Sequence, residues 1–166
     1  DAIVDGRPLI ERICTITGSG VNEQKNLRFR VGTPLRHLVD FCGGLKGEPA
    51  KLIMGGPMMG MAQLSLETPA TRGTSGLLIF REGDVPLVEQ GPCIRCARCV
   101  RACPANLLPT TIAAYTRLDM FDEAEEYRAM DCIECGCCSY SCPSYIPLVQ
   151  SLRHAKAAIL EKRRKI

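Results

Sequence analysis

The spacing of apolar residues in the first half of the chain predicts two strands joined by a turn. Residues 13–17 and 27–31 read as strands, and the second alternates apolar with basic side chains, as a half-buried strand does. The glycine-containing segment 18–20 marks a turn between them. The two strands are therefore expected to lie in one sheet.

One helix and two further strands complete the first part. Thr33 is predicted to cap a helix that begins at Pro34 and ends at the glycine pair 43–44. Its apolar residues at helical spacing are Leu35, Leu38, Val39 and Cys42. Strands are predicted near 51–54 and 77–80. Two strands, one helix and two strands suit a compact mixed sheet with the helix packed across it, and a β-grasp arrangement is the leading expectation.

The second part of the chain is predicted to be helical. Thr110 is predicted to cap a short helix, and Asp119 is predicted to cap another that runs through Ala129. Pro147 opens the last helix, whose basic end suits the negative end of the helix dipole and is expected to be a solvated tail. The apolar stripe of this helix consists of Leu148, Leu152, Ala155 and Ile159.

Composition and charge narrow the class of protein. Nine of the 11 cysteines follow residue 92, which favours two small domains, predicted at 1–88 and 89–166. The net charge of +3 is small, there is no tryptophan, and no basic patch is interleaved with aromatic residues, so nucleic-acid binding has little support. No apolar run approaches the roughly 18 residues that a membrane span requires. Any link to a membrane is therefore expected to go through a partner.

The same cysteine pattern occurs twice in the second part, as C-x2-C-x2-C-x3-C-P. This spacing is typical of cubane iron–sulfur clusters, and the fourth cysteine of each run usually ligates the other cluster. We therefore predict two [4Fe-4S] clusters with crossed ligation. The first is assigned Cys93, Cys96, Cys99 and Cys142, and the second is assigned Cys132, Cys135, Cys138 and Cys103.

Other uses of these cysteines fit the spacing less well. A structural zinc site needs only four ligands, usually in two separated pairs, whereas each run here repeats three cysteines and a fixed fourth. A disulfide framework suits smaller secreted domains. Outside the pattern, Cys14 and Cys42 are expected to be small buried hydrophobic residues. Cys137 is expected not to be a ligand, because choosing it would break the two-residue spacing.

The residues between the cysteines carry opposite charges in the two runs. The first run contains Arg95, Arg98 and Arg101, and the second is accompanied by Asp131 and Glu134. Positive charge stabilises an added electron, so the first cluster is expected to have the higher reduction potential. Solvated loop residues are the alternative interpretation of the arginines.

Two glycine-rich stretches resemble nucleotide-binding loops without completing them. In residues 55–60 the glycines have the separation of a P-loop, but Met61 stands where the phosphate-binding lysine belongs. Residues 18–20 lack the third glycine of a dinucleotide fingerprint. Both are expected to be turns that approach another backbone closely.

Electron transfer needs no acid, base or nucleophile, and no catalytic residue is predicted.

Six segments spread along nearly the whole chain form an ordered set of motifs, namely 8–12, 15–18, 55–60, 73–76, 93–96 and 132–140. In this order they resemble the C subunit of the membrane-bound Rnf (or Rsx) electron-transport complex. The resemblance implies an α+β fold class, with a small β-grasp domain of the soluble-ligand-binding (SLBB) type followed by a mainly helical dicluster ferredoxin domain. It also implies an electron relay in a ferredoxin:NAD oxidoreductase complex that is coupled to ion transport.

The resemblance further implies partners, a location and missing parts. Expected partners are the other subunits of the complex and ferredoxin-like redox proteins, at the cytoplasmic side of the inner (cell) membrane as a peripheral component. Family members carry an FMN- and NADH-binding domain ahead of the SLBB part, so we expect this chain to be a fragment. FMN and NAD(H) are implied only for the intact protein.

Two other functions remain open at the level of sequence. The first is a cobalamin-reductase-like or other soluble-ligand-binding module that also carries iron–sulfur clusters. The second makes residues 1–92 a scaffold that holds the ferredoxin part in its complex, which is compatible with the relay.

Overall fold

A computed structural model describes residues 2–85 and 88–165. The chain divides into two compact units, Asp1–Leu87 and Val88–Ile166. The first combines a sheet with one helix and the second is helical, so the fold is of the mixed α+β kind predicted from the sequence.

The first unit contains a five-stranded mixed sheet. The strands are ordered β2-β1-β5-β3-β4; β1 and β5 run parallel, and the other neighbouring pairs are antiparallel. The elements are β1 (Glu11–Thr17), β2 (Lys25–Arg30), α1 (Leu35–Phe41), β3 (Pro49–Met54), β4 (Met61–Gln63) and β5 (Gly76–Arg81). The four predicted strands are confirmed with small shifts of their ends. The three-residue β4 was not predicted.

One core holds the sheet and the helix together. α1 buries Leu35, Leu38 and Val39 in a cluster with Ile16 of β1 and Ile79 of β5, all of them 5 % exposed or less. Burying a side chain of this size contributes about 1.5–3 kcal/mol. The periodicity that predicted the helix therefore marks the face that packs.

The turn after β1 requires glycine for both conformation and space. Gly18 has φ +117°, in the region that other residues rarely adopt. A Cβ atom at this position would lie 2.1 Å from the carbonyl oxygen of Ile79 in β5. The expected close approach between backbones is confirmed here, and it brings the loop against the middle of the sheet.

The second unit consists of short helices and one long helix. The elements are α2 (Arg98–Arg101), α3 (Pro109–Arg117), α4 (Phe121–Glu126), a 3-10 turn (Ala129–Asp131), α5 (Cys137–Tyr140) and α6 (Leu148–Arg164). α6 packs against α3 and α4, and it buries the predicted apolar stripe. Among the described residues, none of the helices has the length and apolar character needed to cross a bilayer.

The predicted helix caps are wrong. Thr33 does not cap α1, because its hydroxyl donates a 2.7 Å hydrogen bond to the Arg30 carbonyl and the N-cap residue is Pro34. Thr110 lies inside α3, whose N-cap residue is Leu108. Asp119 does not cap α4, because the N-cap residue is Met120 and no side chain in the described part of the chain makes a capping hydrogen bond there.

Two further predictions about the helices are corrected. α4 ends at Glu126 and does not reach Ala129, which lies in the 3-10 turn. The basic end of α6 is not only a solvated tail, because Lys162 pairs with Asp122 at 2.5 Å and Arg163 pairs with Glu125. These pairs are largely exposed, so water and salt screen them and they contribute little to stability.

Candidate iron–sulfur sites

The second unit is built from two copies of one local structure. α2 lies within the first cysteine run and α5 in the same place within the second. Arg95 and Glu134 occupy matching positions and share a left-handed conformation, with φ of 54° and 56°. Ala97 and Gly136 match in the same way, directly ahead of each helix. The sequence repeat is thus also a repeat of backbone conformation.

The first cavity collects cysteines from both runs. Its walls include Cys93, Cys96 and Cys99 of the first run together with Cys142 of the second. Apolar groups of Val100 and Ile146 complete much of the lining. Cys93 is exposed and Cys99 is 7 % exposed, so this cavity runs from the surface toward the core.

The second cavity shows the reciprocal arrangement. It is lined by Cys132, Cys135 and Cys138 of the second run together with Cys103 of the first. Leu107, Val149 and Leu152 are among its apolar walls. The eight cysteines therefore divide into the same two sets of four that crossed ligation predicts, while ligation itself stays a prediction.

Burial disfavours free thiolates in these cavities. It raises the pKa of the Cys138 thiol to about 11 and also raises the pKa values of Cys99 and Cys132. The thiolate is the form that binds metal, so these side chains would ionise only with a compensating positive centre. Four thiols within apolar walls fit an iron–sulfur cluster. Within 2–85 and 88–165, no three metal-ligating side chains form a group that could hold a single metal ion.

The three remaining cysteines lie outside both cavities. Cys14 and Cys42 are 1 % and 0 % exposed in the core of the first unit, which confirms their expected burial. Cys137 lines neither cavity. A hydrogen bond with the neighbouring Cys135 thiol raises the pKa of Cys137.

A charged network beside the second cavity was missed at the level of sequence. Lys156 and Arg153 of α6 both pair with Glu134, at 2.8 Å and 2.9 Å. The hydrogen bond from Lys156 lowers the pKa of Glu134. Lys156 also donates a 2.7 Å hydrogen bond to the carbonyl of Cys132. The positions 153 and 156 lie on one face of a helix, but nothing local in the sequence indicates their partner.

This network and a second ion pair weaken the predicted contrast in charge between the sites. The predicted negative charge of Glu134 is offset by two cations, and Asp131 pairs with Arg128 at 2.6 Å. In the first run, Arg101 donates a 3.3 Å hydrogen bond to the carbonyl of Cys96. The negative charges on which the predicted difference in reduction potential partly rests are therefore compensated, and the difference itself stays a prediction.

Comparison with known proteins gives the same two parts. A family described as SLBB domain matches residues 13–62, and one described as 4Fe-4S dicluster domain matches residues 86–143. The chain thus falls in the class of iron–sulfur electron-transfer proteins that also carry an SLBB domain. The second unit is an iron–sulfur domain.

Individual relatives narrow this class further. The chain is 46% identical, over 95% of its length, to the C subunit of a proton-translocating ferredoxin:NAD(+) oxidoreductase complex of Clostridium ljungdahlii. It is 42% identical over 99% to the Na(+)-translocating counterpart of Acetobacterium woodii, and 43% identical over 98% to the C subunit of an ion-translocating oxidoreductase complex of Methanosarcina acetivorans. The chain is thus similar, over nearly its whole length, to the C subunits of these complexes, which are the Rnf subunits that its motifs resemble. It spans 35%, 37% and 36% of the three relatives.

Proposed function

We propose that this chain is an electron relay with two [4Fe-4S] clusters, working within an ion-translocating ferredoxin:NAD oxidoreductase complex. The observation that carries the proposal is the division of the eight cysteines of the two runs between two cavities. Each cavity has three cysteines from one run and one from the other. A bound cluster would supply one-electron exchange. The chain supplies the thiol ligands, the apolar walls and the charges around them.

The crossed arrangement keeps the two sites close together. Cys99 lines the first cavity and Cys103 lines the second, and only three residues separate them. Even a fully extended chain would place their Cα atoms no more than about 15 Å apart. Cys138 and Cys142 repeat this link in the second run. Short chain links of this kind favour electron exchange between the sites without any moving part.

We propose a binding or docking role for the first unit, because the SLBB family matches residues 13–62 within it. We propose that its sheet is a β-grasp, because the parallel pair β1 and β5 is central, antiparallel strands flank it and one helix covers it. We also propose 1–88 and 89–166 as the functional domains. The names of the relatives do not favour a cobalamin-reductase-like module.

The setting of the relay is proposed from the relatives. Their names describe subunits of ferredoxin:NAD(+) oxidoreductase complexes, so other subunits and ferredoxin-like proteins are the proposed partners. The proposed location is peripheral, at the cytoplasmic side of the cell membrane. FMN and NAD(H) are proposed for the intact protein and are assigned to no residue of this chain.

Metal and sulfide analysis tests the proposal directly. Anaerobically reconstituted chain should contain about eight iron and about eight acid-labile sulfide, and reduction should produce the electron paramagnetic resonance signals of cubane clusters. Cys14→Ala is a matched control, because Cys14 is buried in the first unit and lines neither cavity. Zinc at about two per chain without sulfide would contradict the relay.

A further inference from the structure

We infer that Lys156 and Glu134 set the reduction potential of the cluster in the second cavity, Lys156 raising it and Glu134 lowering it. The inference rests on the proposed function, because it assumes that Cys132 and its partners hold a cluster. Neither residue is a ligand in the crossed assignment. Both act on the site by their charge and by their position beside Cys132.

The contacts place Lys156 against the first cysteine of the second run. Its Nζ donates a 2.7 Å hydrogen bond to the Cys132 carbonyl and lies 2.8 Å from a carboxylate oxygen of Glu134. The other carboxylate oxygen accepts a 2.9 Å hydrogen bond from Nε of Arg153. The backbone N–H of Glu134 in turn donates to the Cys132 sulfur at 3.4 Å. Lys156 and Glu134 are thus in direct hydrogen-bond contact with Cys132, a predicted cluster ligand.

The burial of these groups makes their charges effective. The side chains of Lys156, Arg153 and Glu134 are only 19%, 26% and 32% exposed. Charges at partly buried positions are screened by water and salt much less than those on the open surface. One carboxylate faces two cations, so the network is net positive, and a positive environment stabilises the reduced cluster.

Within residues 88–165, the first half of the repeat has no counterpart of this network. Arg95 stands at the position that matches Glu134, Ala114 at the position that matches Arg153, and Arg117 at the position that matches Lys156. Arg95 and Ala114 are exposed. The conformation of the cysteine run is nevertheless the same in both halves, with φ of 54° at Arg95 and 56° at Glu134. The fold of the run therefore does not require the network, which is specific to the second cavity.

Opposite signs distinguish an electrostatic role from a structural one. Lys156→Gln and Glu134→Gln break the same ion pair, so a loosened loop would shift the potential in the same direction in both variants. Removal of a charge instead predicts that the potential shifts in opposite directions in the two variants. Lys156→Gln should make the second cluster harder to reduce, and Glu134→Gln should make it easier to reduce.

The experiment is a redox titration of the reconstituted 166-residue chain, followed by electron paramagnetic resonance. Lys156→Gln and Glu134→Gln should each change the reduction equilibrium of the cluster in the second cavity at least about tenfold, which is about 59 mV for one electron. Lys156→Arg should restore the wild-type value. Arg95→Gln, at the matching position of the first run, should move the other cluster. Lys162→Gln is the control on the same helix. Because Lys162 pairs with Asp122, this substitution should leave the reduction potentials of both clusters unchanged.

The possible outcomes separate the inference from the proposed function. Shifts of opposite sign on one cluster support the inference; shifts of the same sign, or none with full iron content, overturn it. Loss of iron in both Lys156→Gln and Lys156→Arg would show a structural role and also overturn it. If only Lys156→Gln loses iron, the Glu134→Gln variant decides: a second cluster that is easier to reduce supports the inference, and one that is harder to reduce or unchanged overturns it. A wild-type chain that takes up no iron and sulfide contradicts the proposed function before any potential is measured.

Discussion

Cys137 and Cys138 are adjacent in sequence but lie in different environments. Cys138 is 7 % exposed and lines the second cavity, whereas Cys137 is only partly buried and lines neither cavity. The first residue of α5 is Cys137 and the second is Cys138, so the helix turns their side chains in different directions. Residue type alone does not separate them.

Serine substitutions at these two positions should therefore have unequal effects. Cys137→Ser should leave iron and sulfide at the wild-type level, because its thiol is outside the cavity. Cys138→Ser should reduce iron and sulfide by up to half, because one ligand of the second site is replaced by a poor one for iron. Metal analysis and electron paramagnetic resonance of the reconstituted variants give the measurement. Equal losses in both variants would contradict the assignment of Cys137 as a spare thiol.

At the scale of single residues, sequence was a good guide to the cysteines and a poor one to their surroundings. The fixed spacing within each run directs the cysteines to the cavities, and that spacing is visible locally. The partners of Glu134 come from α6, well beyond the second run. Charge next to a cysteine therefore does not describe the local environment by itself, because cations from a distant part of the chain compensate it.

Helices were easier to predict than their ends. The apolar periodicity of α1 and α6 located both helices, since it reflects the face that packs. The capping signals failed because a threonine or aspartate near a helix start can bond elsewhere. Thr33 donates to Arg30, and the proline that follows occupies the N-cap position. The short strand β4 carries too few residues for its alternation to be visible.

The two cysteine runs exchange one residue each, and this exchange can be tested. Cys142 lies just after α5 but lines the first cavity with Cys93 and Cys96. Cys142→Ser should therefore perturb the cluster of the first site, although the substitution lies in the second run. Arg95→Gln marks the first site in a redox titration, because Arg95 also lines that cavity.

The matched comparison is Cys103→Ser, which should perturb the second site instead. Electron paramagnetic resonance of the two variants should show different resonances affected. If Cys142→Ser changed only the resonance of the second site, ligation would be local to each run and the crossed assignment would be wrong.

At the scale of the whole molecule, the spacing of apolar residues and cysteines predicted the two parts of the chain. It did not predict the order of the strands within the sheet. Two strands, a helix and two strands were visible, and the mixed sheet is confirmed. The order β2-β1-β5-β3-β4 depends on pairing between strands that are far apart in sequence, such as β1 and β5. Alternation within a strand says which face is buried and not which strand lies beside it.

The glycine-rich segments bear on what the chain can bind by itself. Residues 55–60 lead into Met61 at the start of β4, where a P-loop would continue with its lysine. The turn at Gly18 approaches the Ile79 backbone so closely that a Cβ atom would not fit. Its conformation is thus explained by packing within the sheet, and no phosphate-binding role is needed to account for the glycine.

We therefore expect NADH alone to leave the reconstituted chain oxidised. Neither segment completes a dinucleotide or phosphate-binding motif, so no site is expected to hold the nicotinamide near a cluster. The visible absorbance of the oxidised clusters should remain unchanged with NADH, and a strong chemical reductant such as dithionite should bleach it in the same sample. Rapid bleaching by NADH without any other protein would mean that a nicotinamide site exists within these 166 residues. The chain would then be an entry point for electrons and not only a relay.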